Sequence, residues 1–405
     1  MMKLFQYEMK KLLVNRNKLI LLVVLFVIYT GVAWVSAKGI FELSGSEGEK
    51  AVSHYTRLLD GHSGVLDRGQ LASSKAIRDA AIEKYGTGEG LSVRINRDPE
   101  LKFHVRYAAF GSKVDEYWNG PAEQDQDHIK GIYPLREKLE SLEAENHTAT
   151  YDYRLYSKEL ANELAIGEPV FENTIFWNFF FIRFDGFMIV FLLLLVLTYF
   201  MAPLFTQEVL TEMDSILLST VKGRKEIVTA KLLSAGLTAV VITAVYLIGS
   251  FTGTWLGYGD LSGFSAPLRS LEGFEFSTLP FSIGGTALLG AVWLIASAAA
   301  FSMALAFISS KLKGQSSAFG IGMVILLAGS LSNYFSNGIK KLIWPIVDFN
   351  YGSLAMVNTI FGAPRYYDFF GFPLSYGLAA CLVGCLLAIG AVLLTYAAQK
   401  RRSVA

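Results

Sequence analysis

The chain has 405 residues, of which 52% are hydrophobic and only 18% are charged, and its formal net charge is +1. Disordered chains lack this apolar content, and a nearly neutral chain has no global basic surface for nucleic acid, so both classes are excluded. The apolar residues form long uncharged runs, and the fold class that they predict is an all-α polytopic membrane protein.

Six of these runs are long enough to cross a bilayer, which takes about 20 mainly apolar residues in a helix. They predict transmembrane helices at 19–37, 184–204, 314–339 and 369–399, with the third and fourth helices both inside 232–310. The run that contains the fourth helix begins at Phe276.

The first run has a second interpretation, as a cleaved signal peptide, because Val35, Ser36 and Ala37 resemble a small-residue cleavage site. The run spans 19 residues, which is longer than a typical signal-peptide core, and a basic segment of 18 residues precedes it. We therefore favour a retained transmembrane helix.

Lysine and arginine residues in the short flanking segments predict the orientation of the chain. Fourteen of them lie in 1–18, 205–231, 311–313 and the tail 400–405, whereas the two short loops on the other side hold four. This asymmetry predicts that both termini are cytoplasmic and that residues 38–183 are extracellular.

Residues 38–183 are long enough to form a small domain, which is predicted to be mainly helical. Ala76, Ile77, Ala80, Ala81 and Tyr85 recur at helical spacing, as do Leu135, Leu139 and Leu142, and then Leu155, Leu160 and Leu164. The domain contains all five histidines of the chain, but none falls at a metal-ligand spacing.

Aromatic residues are concentrated where the chain returns to the membrane. They are Phe171, Phe176, Trp177, Phe179, Phe180 and Phe181. We favour an interfacial aromatic belt that anchors the second transmembrane helix. The alternative is a hydrophobic substrate exit that these rings line.

No catalytic, cofactor-binding or metal-binding motif is found in the sequence. It has no phosphate-binding GxxxxGK[ST] loop, no GxGxxG before a helix, no HExxH and no GxSxG. The apolar runs also lack charged residues for a proton relay or an ion site. An enzyme is therefore not expected, and a transporter of this kind would take its energy from another chain.

The segment 205–231 follows the second transmembrane helix and has a short amphipathic pattern. Its apolar residues at i, i+4, i+7 and i+8 are Val209, Met213, Ile216 and Leu217, and Glu208 and Glu212 lie on another face. This pattern fits either a helix that docks a partner or an ordinary interfacial loop.

The segment 208–231 has a distinct order of residues. It contains Glu208, then Leu217, Leu218, Ser219 and Thr220, then Gly223, Arg224, Lys225, Glu226 and Ile227, and finally Lys231, which opens the next apolar helix. This pattern resembles the ABC-2 family of ATP-binding-cassette permeases. The resemblance implies six membrane spans and a cytoplasmic amphipathic helix in 1–18. The stripe of that helix would be Phe5, Met9, Leu12 and Leu13, with Lys10 and Lys11 beside it.

By this resemblance, residues 205–222 would be the coupling helix that contacts a separate ATPase subunit. Glu208 would be the acidic residue at the loop entry, and Lys231 the basic residue that starts the third span. The residues expected at the ATPase contact are Glu208, Val209, Glu212, Met213, Asp214, Ile216, Leu217 and Lys231.

The partners that the resemblance implies are two copies of a cytoplasmic ATPase, a second permease copy or a paralogue, and the lipid bilayer of a bacterial plasma membrane. ATP and Mg²⁺ would bind to the ATPase, and this chain would bind no cofactor. Because the spans contain no charged residues, a hydrophobic or amphipathic cargo such as a peptide, an antibiotic or a lipid is expected to be exported.

Two further features concern the membrane helices. Residues 340–368 are predicted to be an extracellular re-entrant loop, as in the family, and the alternative is a plain surface loop. Gly249, Gly253 and Gly257 repeat every four residues, which allows close helix packing, and we favour packing within the chain over a subunit interface.

A membrane receptor is the alternative function. Its extracellular domain would detect a ligand and relay the signal to a cytoplasmic partner. The predicted cytoplasmic segments are short, so such a receptor would need a separate output protein.

Overall fold

The computed structural model describes residues 2–43, 45–119, 132–185, 187–211, 223–275, 277–331, 348–362 and 365–400. The helices in these ranges are α1 (Met2–Leu13), α2 (Arg16–Lys38), α3 (Gly45–Gly61), α4 (Arg68–Tyr85), α5 (Glu89–Ile95), α6 (Pro99–Asn119), α7 (Ile132–Ala144), α8 (Tyr151–Ile166), α9 (Ile175–Asp185), α10 (Phe187–Met201), α11 (Pro203–Leu210), α12 (Gly223–Tyr258), α13 (Ile283–Lys311), α14 (Gln315–Leu331), α15 (Tyr351–Leu354), α16 (Val357–Phe361) and α17 (Tyr376–Lys400). An antiparallel hairpin of β1 (Tyr366–Phe369) and β2 (Phe372–Ser375) precedes α17.

Five helical segments in the described ranges are long and apolar enough to cross a membrane. They are α2, the segment Ile189–Leu210 of α10 and α11, the segment Lys225–Tyr258 of α12, α13 and α17. The chain is therefore a helical membrane protein. The predicted fifth span, 314–339, contains the apolar helix α14, which is shorter, and residues 332–347 lie outside the described part of the chain.

The fourth membrane helix begins inside its uncharged run, and the sixth begins later than the sequence predicted. The fourth does not begin near Phe276 but at Ile283, where the Ser282 side chain accepts a hydrogen bond from the Gly285 amide at 3.1 Å. The sixth begins at Tyr376 rather than at residue 369, because the turn at Gly371, with φ of 81°, closes a hairpin first. Uncharged sequence continues into these connections, so both uncharged runs are longer than the helices that they contain.

The glycine repeat of α12 packs against α2. A Cβ atom added at Gly257 would lie 2.7 Å from the Ala37 Cβ, and one added at Gly249 would lie 3.2 Å from the Phe26 carbonyl oxygen. A Cβ at Gly253 would overlap the Thr30 carbonyl oxygen. The prediction that these glycines pack within the chain is confirmed.

Replacing Gly253 with alanine is therefore expected to destabilise the protein by about 1–3 kcal/mol, because backbone atoms of α2 must move to admit the methyl group. Gly390→Ala in α17 is the matched control, since no atom lies within 4 Å of the added Cβ. Thermal unfolding in detergent, followed by tryptophan fluorescence, measures both variants. Equal unfolding temperatures for the two variants would contradict the close packing of α12 on α2.

Helices α3–α8 lie together outside the membrane helices, and we call them the head domain. Its apolar core is formed mainly by α3, α4 and α6. Its buried residues include Tyr55, Leu59, Phe103, Tyr107 and Phe171, and they form a cluster separate from that of the membrane helices. The end of the helix bundle that faces this domain is called the head end, and the end that contains α1 and Lys400 is called the basic end.

The predicted helices of the head domain are present, but not all of their predicted faces are buried. Leu135, Leu139 and Leu142 are buried along α7, as their spacing indicated. On α4, however, Ala76, Ile77 and Ala80 are exposed, and the buried residues are Leu71, Ser74 and Ala81. Alanine contributes little apolar area, so its spacing identifies a helix better than it identifies the buried face.

Loops of the membrane helices attach to the head domain through ion pairs. Arg269, in the connection between α12 and α13, forms a buried ion pair with Glu163 of α8 and donates a hydrogen bond to the Gly167 carbonyl at 3.2 Å. Lys113 of α6 lies 2.6 Å from Glu275 in the same connection.

The β-hairpin provides another attachment, on a different side of α8. Arg154 donates a hydrogen bond to the Gly371 carbonyl at 2.9 Å, and Lys158 donates one to the Pro373 carbonyl at 3.0 Å. The guanidinium of Arg154 also lies 4.8 Å from the centre of the Phe372 ring. The chain segment that leads into α17 is thus bound to the head domain.

Candidate functional site

At the basic end, a lysine of α12 lies completely inside the protein. Lys231 has no exposed surface, although lysine is rarely buried without a partner. Its ammonium group lies 4.7 Å from the centre of the Phe205 ring and donates a hydrogen bond to the Leu204 carbonyl. Both partners belong to α11, so the lysine holds the start of the third span against the end of the second.

Two carboxylates balance this buried charge. Lys231 Nζ lies 2.7 Å from Glu208 Oε1 and 3.9 Å from Glu8 Oε2. Glu208 belongs to α11 and Glu8 to α1, so three helices that are distant in sequence meet at one ammonium group. A fourth residue, Lys11, lies 3.4 Å from Glu208 Oε1, which makes the cluster neutral overall. We call Glu8, Lys11, Glu208 and Lys231 the four-charge cluster.

Glu8 is the member of this cluster whose hydrogen-bonding capacity is least well satisfied. It is only 5% exposed, and its Oε2 atom accepts no hydrogen bond among the described residues. Burial raises the pKa of Glu8, and the positive charges of Lys231 and Lys11 oppose that rise. The carboxylate of Glu8 therefore depends on Lys231 for much of its stabilisation.

Helix α1 packs along α12 through the face that carries Glu8. Leu12 is buried on this face, and Phe5 and Met9 are half-buried beside it. The opposite face is exposed and includes Tyr7 and Lys10. Helix α1 thus has one face fixed to the bundle and another available to a partner or a membrane surface.

The arrangement is suited to holding helices together rather than to chemistry. No nucleophile with an adjacent base is found in the cluster, and in the described ranges no group of three His, Cys, Asp or Glu residues could hold a metal ion.

Comparison with known proteins gives the cluster no counterpart. No protein-family model, curated protein or solved structure matches this chain. The ABC-2 resemblance consequently rests on the sequence pattern in 208–231, and the role of the cluster is argued from its own geometry.

The structure brings together two of the residues expected at the ATPase contact. Glu208 and Lys231 form an ion pair inside the chain, and Val209 is half-buried next to them. The other expected contact residues, Glu212, Met213, Asp214, Ile216 and Leu217, lie outside the described residues. The described part of the predicted coupling helix ends with α11 at Leu210, which is 61% exposed.

Sequence reasoning missed Glu8. The stripe predicted for α1 consisted of Phe5, Met9, Leu12 and Leu13. Glu8 lies at the same helical spacing, three residues after Phe5 and four before Leu12. An acidic residue within an apolar stripe is a signal of a buried ionic partner. Lys11, predicted to lie beside the stripe, is half-buried and paired with Glu208.

The predicted aromatic belt is wrong for five of its six members. Phe171 is buried in the core of the head domain. Phe176, Trp177, Phe180 and Phe181 are buried inside the protein, where they pack on each other and on Phe251, Phe264 and Phe274. They form the core at the junction of α9 with the membrane helices, so they do not face lipid. Phe179 is not part of this core and lines a cavity beneath the head domain.

Proposed function

We propose that the chain is the membrane-spanning permease subunit of an ABC-2 type exporter, driven by ATP hydrolysis in a separate cytoplasmic ATPase. The observation that carries this proposal is the four-charge cluster, which links α1, the end of the second span and the start of the third. Two such permease chains, or one with a paralogue, would enclose the pathway between two ATPase subunits.

The cluster explains how a movement of the ATPase would reach the membrane helices. A force on α1 or on the segment after α11 acts directly on Lys231, because Glu8 and Glu208 both contact it. Lys231 lies on α12, which runs unbroken from Gly223 to Tyr258, so the movement is passed along a rigid helix to the head end. The residues of this chain transmit force, and ATP binds elsewhere.

The surface beside the cluster has the composition of a docking site. Met2, Tyr7 and Leu210 are exposed apolar residues at the basic end, with relative exposures of 73%, 64% and 61%. Lys10 is also exposed there. Exposed apolar residues mixed with charges are typical of an interface with another protein.

The test is purification of the tagged chain from its native host in mild detergent. We expect an ATPase subunit to co-purify in stoichiometric amount and the complex to hydrolyse ATP. Leu210→Glu is expected to abolish this co-purification, because it places a charge on the proposed contact without disturbing buried residues. Leu261→Glu, at an exposed position of the head end, is the matched control and should retain the ATPase.

Recovery of the chain without an ATPase would contradict the proposal, as would equal retention of the ATPase by the two variants. Co-purification with a signalling protein such as a kinase would instead support the receptor function.

A further inference from the structure

A cavity of about 470 Å³ lies where the head domain meets the membrane helices. Gly39, which follows α2, and Ile182, near the end of α9, are among its lining residues, so the cavity lies at the level where α2 ends and α10 begins. Its volume is within the range of about 300–1,000 Å³ that is typical of small-molecule sites. The function proposed above does not use this cavity.

One wall of the cavity is positively charged. Lys102 and Arg106 lie on successive turns of α6, and both line the cavity. Lys102 donates hydrogen bonds to the Ile40 carbonyl and, at 3.2 Å, to Asn96 Oδ1, and Arg106 donates one to Thr174 Oγ1 at 2.7 Å. All of these acceptors are uncharged.

Neither cation has a carboxylate partner in the described part of the chain. Among the lining acids, Glu275 pairs with Lys113, whereas Glu172 and Glu272 form no ion pair with Lys102 or Arg106. Like charges four residues apart on a helix repel each other. Burial and the neighbouring Arg106 lower the pKa of Lys102 to about 8, and the nearby Glu42 carboxylate, which forms no ion pair with Lys102, opposes this shift. The pair of cations is thus arranged for an anion that the chain itself does not supply.

The opposite wall is apolar and continues toward the membrane helices. It includes Ile175, Phe179 and Ile182 of α9, and Ile182 is 54% exposed. A small inorganic anion would leave this wall in contact with water, and a purely apolar ligand would leave the two cations without a counter-charge. A molecule with an anionic head and an apolar chain satisfies both walls.

We propose that this cavity binds an anionic glycerophospholipid of the surrounding bilayer, with its phosphate against Lys102 and Arg106 and an acyl chain along Phe179 and Ile182. The cavity opens beside the membrane helices, so the lipid enters from the adjacent leaflet with its chains still in the apolar layer. The bound head neutralises the repulsion between the two cations and holds α6 of the head domain close to α9.

Native mass spectrometry of the delipidated full-length protein, titrated with dioctanoyl phosphatidylglycerol, tests this proposal. The wild-type protein is expected to bind one molecule, and Arg106→Gln to weaken binding about tenfold or more through loss of a charge-assisted hydrogen bond. Arg57→Gln, an exposed cation of α3 outside the cavity, is the matched control and should bind as the wild type does.

Three other titrations separate the possible ligands. Dioctanoyl phosphatidylcholine, which has the same chains without net charge, and inorganic phosphate, which has no chain, should each bind at least tenfold more weakly than phosphatidylglycerol. Ile182→Ser, at a half-exposed position that tolerates substitution, should weaken phosphatidylglycerol binding and leave phosphate binding unchanged.

Equal binding of the two lipids, or an unchanged affinity in Arg106→Gln, would overturn the assignment of the anionic head. Phosphate binding as tight as that of phosphatidylglycerol would overturn the assignment of a lipid. None of these measurements involves an ATPase, so their failure is distinct from failure of the proposed transport function.

Discussion

Replacing Lys231 with methionine is expected to lower the free energy of unfolding by about 3 kcal/mol, because it leaves buried carboxylate charge without its partner. Methionine retains most of the side-chain volume, so the effect reports the charge rather than a cavity. Glu8 is affected most, since it is nearly completely buried and Lys231 is its closest cation. Unfolding in mixed detergent micelles, followed by tryptophan fluorescence, measures the change.

Lys225→Met is the control for this prediction. Lys225 lies on the same helix, six residues earlier, and is exposed, so its loss should change stability by less than about 0.5 kcal/mol. Adding Glu8→Gln and Glu208→Gln to Lys231→Met should recover part of the lost stability, because the uncompensated negative charge is removed. Equal stability of the two single variants would show that Lys231 does not hold the three helices together.

The second large effect is expected at the head end, where Arg269→Met should destabilise the protein by about 3–5 kcal/mol. The guanidinium and the Glu163 carboxylate are 1% and 2% exposed, so the charge of Glu163 loses a partner that water cannot replace. The loss also frees the 259–282 connection from α8. Limited chymotrypsin digestion should therefore cut that connection, which contains Phe264, Phe274 and Phe281, sooner than in the wild type at the same protease concentration.

A surface pair provides the comparison. Arg94 and Asp98 lie 3.4 Å apart on the head domain with exposures of 51% and 31%, and removing such a pair costs about 0–1 kcal/mol. Arg94→Met should consequently leave both the unfolding transition and the chymotrypsin pattern close to those of the wild type. If Arg269→Met were as mild as Arg94→Met, the head domain would not depend on this ion pair.

The membrane helices were largely predictable, and their ends were not. Long uncharged runs identify helices in lipid, because a helix is the only regular structure that satisfies all backbone hydrogen bonds there without a partner strand. The same runs continue through Pro280 and Gly371 into connections that hydrogen bonds attach to the head domain, from Arg269 to the Gly167 carbonyl and from Arg154 to the Gly371 carbonyl. Those hydrogen bonds depend on residues more than a hundred positions away, which local composition does not report.

The candidate site was predictable in part. The family resemblance singled out Glu208 and Lys231, but nothing in their spacing of 23 residues shows that they contact each other. Their pairing depends on how α11 packs against α12, and the contribution of Glu8 depends on how α1 docks. Amphipathic spacing predicts that a face is buried, yet it does not identify the helix that covers that face.

The attachments of the head domain restrict how it can move. A domain that is connected to the membrane helices only through its two chain ends could rotate about the line that joins those ends. Here the Arg269 ion pair reinforces the C-terminal chain end of the domain, and the β-hairpin binds the first half of α8 to the connection that leads into α17. A tilt of α17 would therefore also displace α8, and with it the head domain, relative to the bilayer.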